Sequence, residues 1–178
     1  MKTWLASWRR SRLAKSDVAL EFWNEDHPRW DKLKALSAKL GDSRYVFYDE
    51  DPYPFYACVA LTGENQIIGY HVFLIQPIGP EMETSELTDR NGATLMEAKI
   101  RGLHVLKPWR NRGIGTSLQA LTLEKAAELQ VFQVRSYSDR SRVENYTVKF
   151  KLGFGYHPTL RRYKDGTTVE GVYWVKRV

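Results

Sequence analysis

One cysteine, Cys58, stands in 178 residues, so no internal disulfide can form and no metal site can be built from paired cysteines. So little thiol chemistry suits a reducing compartment, and a cytoplasmic location is expected. Cys58 alternates with apolar neighbours and reads as a core thiol. No apolar run approaches the roughly 20 residues needed to cross a bilayer, so no membrane partner is expected. Internal repeats and low-complexity linkers are lacking too, and the length suits one domain over residues 1–178. The four histidines show no metal-ligand spacing. No metal is therefore expected, and His71 and His104 read as strand residues in core or surface roles.

What is present is a globular composition. Hydrophobic residues make up 43%, charged residues 27% and aromatic residues 13%, enough for a sizeable core and against disorder. The net charge of +6 attracts anions. Lys and Arg are not gathered into one long run, so nucleic acid is not the expected partner, and a phosphorylated cofactor answers the charge as well. Residues 1–16 carry Lys2, Arg9, Arg10, Arg12 and Lys15 with no acid. Such a start is either an organelle-transit composition or an ordinary first element with solvated charges; the missing apolar h-region favours the ordinary reading.

Along the chain, Ser16-Asp17 looks like a helix start, with a short helix from Val18 to Trp23. Pro28 opens a second helix to about Leu40, with Leu33, Leu36 and Leu40 on one face and Gly41 at its end. Tyr45 to Tyr48 reads as a short strand. Phe55 to Leu61 and Ile67 to Ile75 read as a hairpin, and 76–93 as a long surface loop. Leu95 to Val105 is a strand, followed by a glycine turn and a helix to about Gln130 with Ile114, Leu118, Leu121 and Leu129 on a stripe that Lys125 interrupts. Val131 to Tyr137 is a strand and Ser141 to Leu152 a helix. A closing hairpin turns at Lys164-Asp165-Gly166. The order implies an α/β fold, a mixed, mostly antiparallel central sheet flanked by helices, rather than a doubly wound one.

The chemistry concentrates in Leu103 to Leu118, where a strand enters a glycine turn that opens directly into a helix. The first helical N–H groups have no partner inside a helix and sit at its positive end, which suits a pyrophosphate. Gly113 and Gly115 let the backbone approach without a Cβ, and Arg110 and Arg112 add charge at the rim. A P-loop needs Gly-x-x-x-x-Gly-Lys-Ser/Thr, which the chain lacks. A dinucleotide fingerprint needs a third glycine where Leu118 stands, and an acid where Arg135 stands. Arg110-Asn111-Arg112-Gly113-Ile114-Gly115 instead fits Arg/Gln-x-x-Gly-x-Gly/Ala.

That motif resembles the GCN5-related N-acetyltransferase (GNAT) superfamily. Leu103-His104-Val105 resembles the end of the family's fourth strand, and Lys151-Leu152-Gly153-Phe154 the end of its fourth helix. Ile67-Ile68-Gly69-Tyr70 resembles the strand after its first β-turn. The likeness is firm over 55–156 and thin over 1–50. It implies acetyl-CoA or another acyl-CoA as co-substrate, and direct attack on the thioester by an amine acceptor, whether small molecule, peptide or protein lysine. It admits a homodimer. On this reading the backbone of Leu103, His104 and Val105 meets the pantetheine arm. The segment Arg110, Asn111, Arg112, Gly113, Ile114, Gly115 and Thr116 holds the pyrophosphate, Asn145 hydrogen-bonds the cofactor, and the strand is splayed from the one after it.

The resemblance also implies acid–base positions, and here the chain departs. An amine with a reference pKa near ~10.4 must lose a proton to attack. The family often places a carboxylate six residues before Val105, where this chain has Lys99. Glu97, on the same strand face, is the preferred base; the alternatives are a solvated carboxylate or a pair with Lys99. A family tyrosine four residues before Gly153 is Lys149 here. Tyr146 is the remaining candidate acid, although it shares a helix face with Val143 and Phe150 and looks like core, while Arg142, Asn145 and Lys149 share another. A lysine or water could serve instead.

Ser136, Ser138 and Ser141 lack a paired base for nucleophilic catalysis. The acidic loop residues Asp49-Glu50-Asp51, Glu81, Glu83 and Glu86 are solvated or attract a cationic amine. Two further readings stand beside the enzyme: a CoA-binding regulatory module without catalysis, and a nucleic-acid or membrane-surface binder using the basic N-terminus.

Overall fold

The computed structural model describes residues 18–47, 52–80, 84–162 and 166–178. The Ser16-Asp17 helix start, the acidic residues 49–51, 81 and 83, and most of the last hairpin turn lie outside them.

Val18–Asn24 is strand β1, not a helix. Its register with the next strand runs from Val18↔Thr62 to Asn24↔Tyr56, so each residue finds a backbone partner. A helix of that length would have nucleated for few hydrogen bonds. The period-2 pattern confirms the strand: Val18, Leu20 and Phe22 pack on one sheet face and Trp23 in the core of the other. Helix α1, Trp30–Lys39, buries Leu33 and packs Leu36 and Leu40 as expected, and Gly41 takes φ +77 beyond it.

Tyr45 and Val46, the start of the strand expected from Tyr45 to Tyr48, belong instead to the single helical turn α2, Ser43–Val46, closed by the Tyr45 and Val46 N–H groups on the Asp42 carbonyl, and Tyr48 lies outside the described residues. This turn presses on the sheet, since a Cβ at Gly102 would meet Val46 at 2.5 Å. Only glycine allows that approach.

The remaining elements follow the sequence closely. They are β2 Phe55–Thr62, β3 Ile67–Pro77, β4 Met96–Val105, α3 Ile114–Glu128, β5 Gln133–Asp139, α4 Val143–Lys151, β6 Gly155–Arg162 and β7 Thr168–Arg177. They form one seven-stranded sheet in the order β1-β2-β3-β4-β5-β7-β6, antiparallel except for β4 beside β5. Helices α1 and α2 cover one face, around Trp23, Trp30 and Leu33; α3 covers the other, above Cys58, Phe73 and Ala98.

The α3 stripe is rotated from the expected one. Its buried residues are Ile114, Leu118, Gln119, Thr122 and Ala126, whereas Leu129 is exposed. An i, i+4 row through two small residues lets the helix sit close to the strands beneath it. On α4 the expected faces are mixed: Val143 and Phe150 are exposed while Tyr146 packs on the core, and Arg142 is exposed while Lys149 is buried. No helix among the described residues is long and apolar enough to cross a membrane.

Candidate active site

Strands β4 and β5 pair only at Glu97↔Gln133, Ala98↔Val134 and Lys99↔Arg135. Beyond Lys99 they separate, while β4 continues along β3 and β5 along β7. A bulge marks the place: Val72 faces Gly102 and Phe73 faces Ile100, leaving Arg101 as the extra residue. The bulge lets Leu103 and Val105 face α3, since a Cβ on Gly115 would lie 3.9 Å and 3.8 Å from their side chains.

At the end of β4 the chain makes a 3₁₀ turn, Lys107–Trp109, and Arg110 is extended. Asn111 at φ +61 and Gly113 at φ +82 then bring the chain into α3. No side chain caps α3, and the first bond across Gly113 is donated by Ser117 N–H. The N–H groups of Ile114, Gly115 and Thr116 therefore point out of the helix start without an intrahelical acceptor. Arg110 donates from Nε to the Val105 carbonyl at 2.8 Å, and Arg112 lies over the Trp109 ring at 5.0 Å. Both arginines are exposed, at the rim of a positive helix end.

The split has an unusual interior. Gln119 Nε2 donates to Asn145 Oδ1 at 3.3 Å, and Asn145 Nδ2 to Ser138 Oγ at 3.1 Å. On the elements that carry them and on β7, Gln119 Oε1, Ser136 Oγ, Tyr146 Oη, Lys149 Nζ and Trp174 Nε1 are buried without a hydrogen-bond partner among the described residues. Buried polar atoms are normally satisfied, and these five sit on α3, α4, β5 and β7, the elements about Asn145 and Ser138. Burial alone lowers the Lys149 amine to about 7. His71, opposite on β3, is pushed below its ordinary value by burial and then by Lys149.

The closed end is its opposite. Glu97 is fully buried. It accepts from Arg135 Nε at 3.0 and 2.9 Å, Arg135 Nη2 at 2.6 Å, Gln76 Nε2 at 3.0 Å and Gln133 Nε2 at 2.9 Å. A carboxylate offers about four lone-pair positions, so none remains for a substrate proton. The expected base is instead a strand-to-strand tie, and its partner is Arg135 rather than Lys99. Tyr146 packs edge-on against Trp174 with its hydroxyl buried, half core and half site. His104 points to the other sheet face, where Asp42 Oδ2 takes its Nδ1 and the Tyr70 hydroxyl, each at 2.9 Å. Its backbone, not its ring, borders the split.

Gln119, Ser136 and the inward turn of Lys149 escaped sequence reasoning. Ser136 and Ser138 alternate along one strand, so period 2 already put them on a common face. Nothing in the helix pattern signalled Gln119. No group of His, Cys, Asp and Glu among the described residues is arranged to hold a metal. A recess of about 430 Å³ lined by Arg29, Lys32, Leu36, Lys39 and Leu106 lies on the α1 face, and its lining carries none of the orphaned atoms.

Known proteins share this fold. Residues 17–147 match the model of the Acetyltransferase (GNAT) family. The fold is similar to Arabidopsis thaliana NAA60 in complex with acetyl-CoA (TM-score 0.66, 13% identity, 90% of this chain and 99% of that one). It is also similar to Arabidopsis thaliana Naa50 in complex with the bisubstrate analogue CoA-Ac-MVNAL (TM-score 0.59, 16% identity, 88% and 97%). A third likeness is to an IAA acetyltransferase from Bacillus cereus (TM-score 0.54, 18% identity, 90% and 99%). Among curated proteins, none matches the sequence.

Proposed function

The chain belongs to the acetyltransferase (GNAT) family, and from that premise we propose that it moves an acetyl or related acyl group from acyl-CoA to a primary amine by direct attack in a ternary complex. The observation that carries this is an uncapped helix start set beside a strand split whose walls hold unsatisfied polar atoms.

Acyl-CoA supplies the activated thioester. The Arg110–Thr116 segment holds the pyrophosphate through the N–H groups of Ile114, Gly115 and Thr116, with Arg110 and Arg112 as flanking charge. The free edge of β4 at Leu103, His104 and Val105 pairs with the arm. Asn145, Gln119 and Ser136 receive its amides, and Tyr146 offers its hydroxyl to the same gap. Helices α3 and α4 close this side, so the acceptor amine arrives from the opposite face, beside Arg101 and the α2 turn. Since Glu97 is committed to Arg135, the acceptor's proton leaves through water rather than through that carboxylate.

The test is free-thiol release from acetyl-CoA with a panel of small amines, peptide N-termini and lysine peptides. Release with at least one class supports the reading. The commitment of Glu97 favours a second reading, a CoA-binding module without catalysis; thermal stabilisation by CoA with no turnover on any amine would mark it. Stabilisation by neither CoA nor acetyl-CoA would overturn both.

A further inference from the structure

The recess of about 430 Å³ on the α1 face has a pattern of its own. Lys32, Leu36 and Lys39 on α1 and Leu40 at its end stand at i, i+4, i+7 and i+8, so one helix face lends it two lysines with leucines beside them. Helical rise sets those lysines about 10 Å apart along the wall. Ile67, at the start of β3, and Leu106, just beyond β4, add further apolar surface. Ile67 is buried and the three leucines are half-buried, whereas Lys32 and Lys39 are exposed.

Charge here has one sign. Arg29, Lys32 and Lys39 line the recess, no Asp or Glu does, and none of the three cations makes an ion pair with a described residue. Arg29 is also held in place. Its guanidinium lies 5.2 Å from the centre of the Trp23 ring, and its Nη2 donates to the Asn65 carbonyl. A guanidinium has five N–H donors, so others remain for a guest, and a fork already fixed loses little freedom on binding. Arg29 and Lys32, three residues apart, put two cations at one end of the recess. The place is distinct from the strand split. Leu106 N–H donates to the Ile68 carbonyl at 2.9 Å and prolongs the β3–β4 pairing beyond Gly69↔Val105. The recess thus borders two strands that stay joined, while the split opens between β4 and β5.

We propose that this recess binds a small amphipathic anion, a phosphate or carboxylate head on an apolar body. The head sits between Arg29 and Lys32, and the body lies along Leu36, Leu40, Ile67 and Leu106. The volume is that of a small-molecule site, and the cations stand beside an apolar hollow rather than on a flat face, which favours a small guest over a nucleic acid or a lipid surface. Binding there requires no acyl-CoA, so the site stands apart from the function proposed above.

The test titrates octyl phosphate and octanoate, each below its micelle concentration, into the full chain and follows its amide resonances. Octyl glucoside carries the apolar body without charge, and inorganic phosphate the head without the body. Both octyl anions should shift the amides of Lys32 to Leu40, Gln66, Ile67 and Leu106 in one saturable step, at least ~10-fold tighter than either half probe. Either head supports the site, and the tighter one names the class. Lys32→Gln, at an exposed helix position, should weaken both anions roughly fivefold with the thermal midpoint unchanged, and Lys39→Gln should weaken them less. Saturating CoA should leave both affinities within about twofold. Octyl glucoside binding as tightly as the anions, unchanged affinity in Lys32→Gln, or displacement by CoA would each overturn the proposal. Binding to anionic vesicles or duplex DNA, with neither octyl anion shifting these amides, would overturn it in favour of a surface contact.

Discussion

Two ends of one strand pair behave as opposites. Where β4 meets β5, Glu97 is saturated by Arg135, Gln76 and Gln133. A few residues further on, the same strands part, and Gln119 Oε1, Ser136 Oγ, Tyr146 Oη and Lys149 Nζ are buried with no hydrogen-bond partner among the described residues. Protein interiors rarely tolerate the second condition. Its cost makes sense when a ligand is the missing partner, and the saturated end explains how the strands withstand being prised apart. Charge sorts the same way: the Glu97 carboxylate is tied into an ion pair, while the buried Lys149 amine has no hydrogen-bond partner among the described residues.

The largest expected effect falls at the closed end. Glu97→Ala leaves Arg135 buried without its counter-charge, and denaturant unfolding should show a loss of about 3–5 kcal/mol. A loss below about 1 kcal/mol would mean that the tie does not hold the strands. At the open end, Gly113→Asp places a carboxylate at the helix start and a side chain at φ +82. CoA affinity should fall at least ~100-fold, or about 2.7 kcal/mol, in a titration; nothing lies within 4 Å of the added Cβ, so the cost to the fold is confined to backbone strain at the positive φ. Unchanged affinity would remove the helix start from the site.

Proton linkage sharpens the contrast further. Lys149 falls from 10.5 to about 7 on folding, so above pH 7 the unfolded chain holds a proton that the native one lacks. Stability should therefore rise with pH from about 7, at up to about 1.4 kcal/mol per pH unit, and this part is lost as pH falls back to 7. Below that, His71, lowered from 6.5, adds a rise of the same sign up to its ordinary value. Above 9, Cys58, pushed up by burial to about 12, pulls the other way, and buried Tyr70, raised from 10.0, joins it. The difference between wild type and Lys149→Met should thus change steeply between pH 7 and 9; a flat difference would mean that the amine is not neutral in the fold. The smallest effect is expected for Gln119→Met, which removes an orphaned carbonyl at nearly constant volume. CoA affinity should drop by about 1 kcal/mol while thermal stability holds or rises. A loss of stability without a loss of affinity would assign Gln119 to the core.

The strand–turn–helix junction was legible because it is local: an extended strand, a glycine turn and a helix start are adjacent in sequence. The split wall was not, since Gln119, Ser136, Asn145 and Lys149 meet only once the sheet order is fixed. The α4 wheel misled because periodicity names a helix's faces without saying which one docks. Hydrophobic Val143 and Phe150 went outside, and the inward position fell to a lysine. Glu97 was read correctly as facing with Lys99, but its partner lies on a strand 38 residues away. Val18 to Trp23 failed for the same reason, its register being set by β2.

Amide hydrogen exchange with and without CoA tests the site most directly. The expected result is new protection at Ile114 to Thr116 and along Ile100 to Val105, with the Glu97–Lys99 pairing unchanged. Protection confined to other segments, or none at saturating CoA, would contradict the placement of the cofactor in the split.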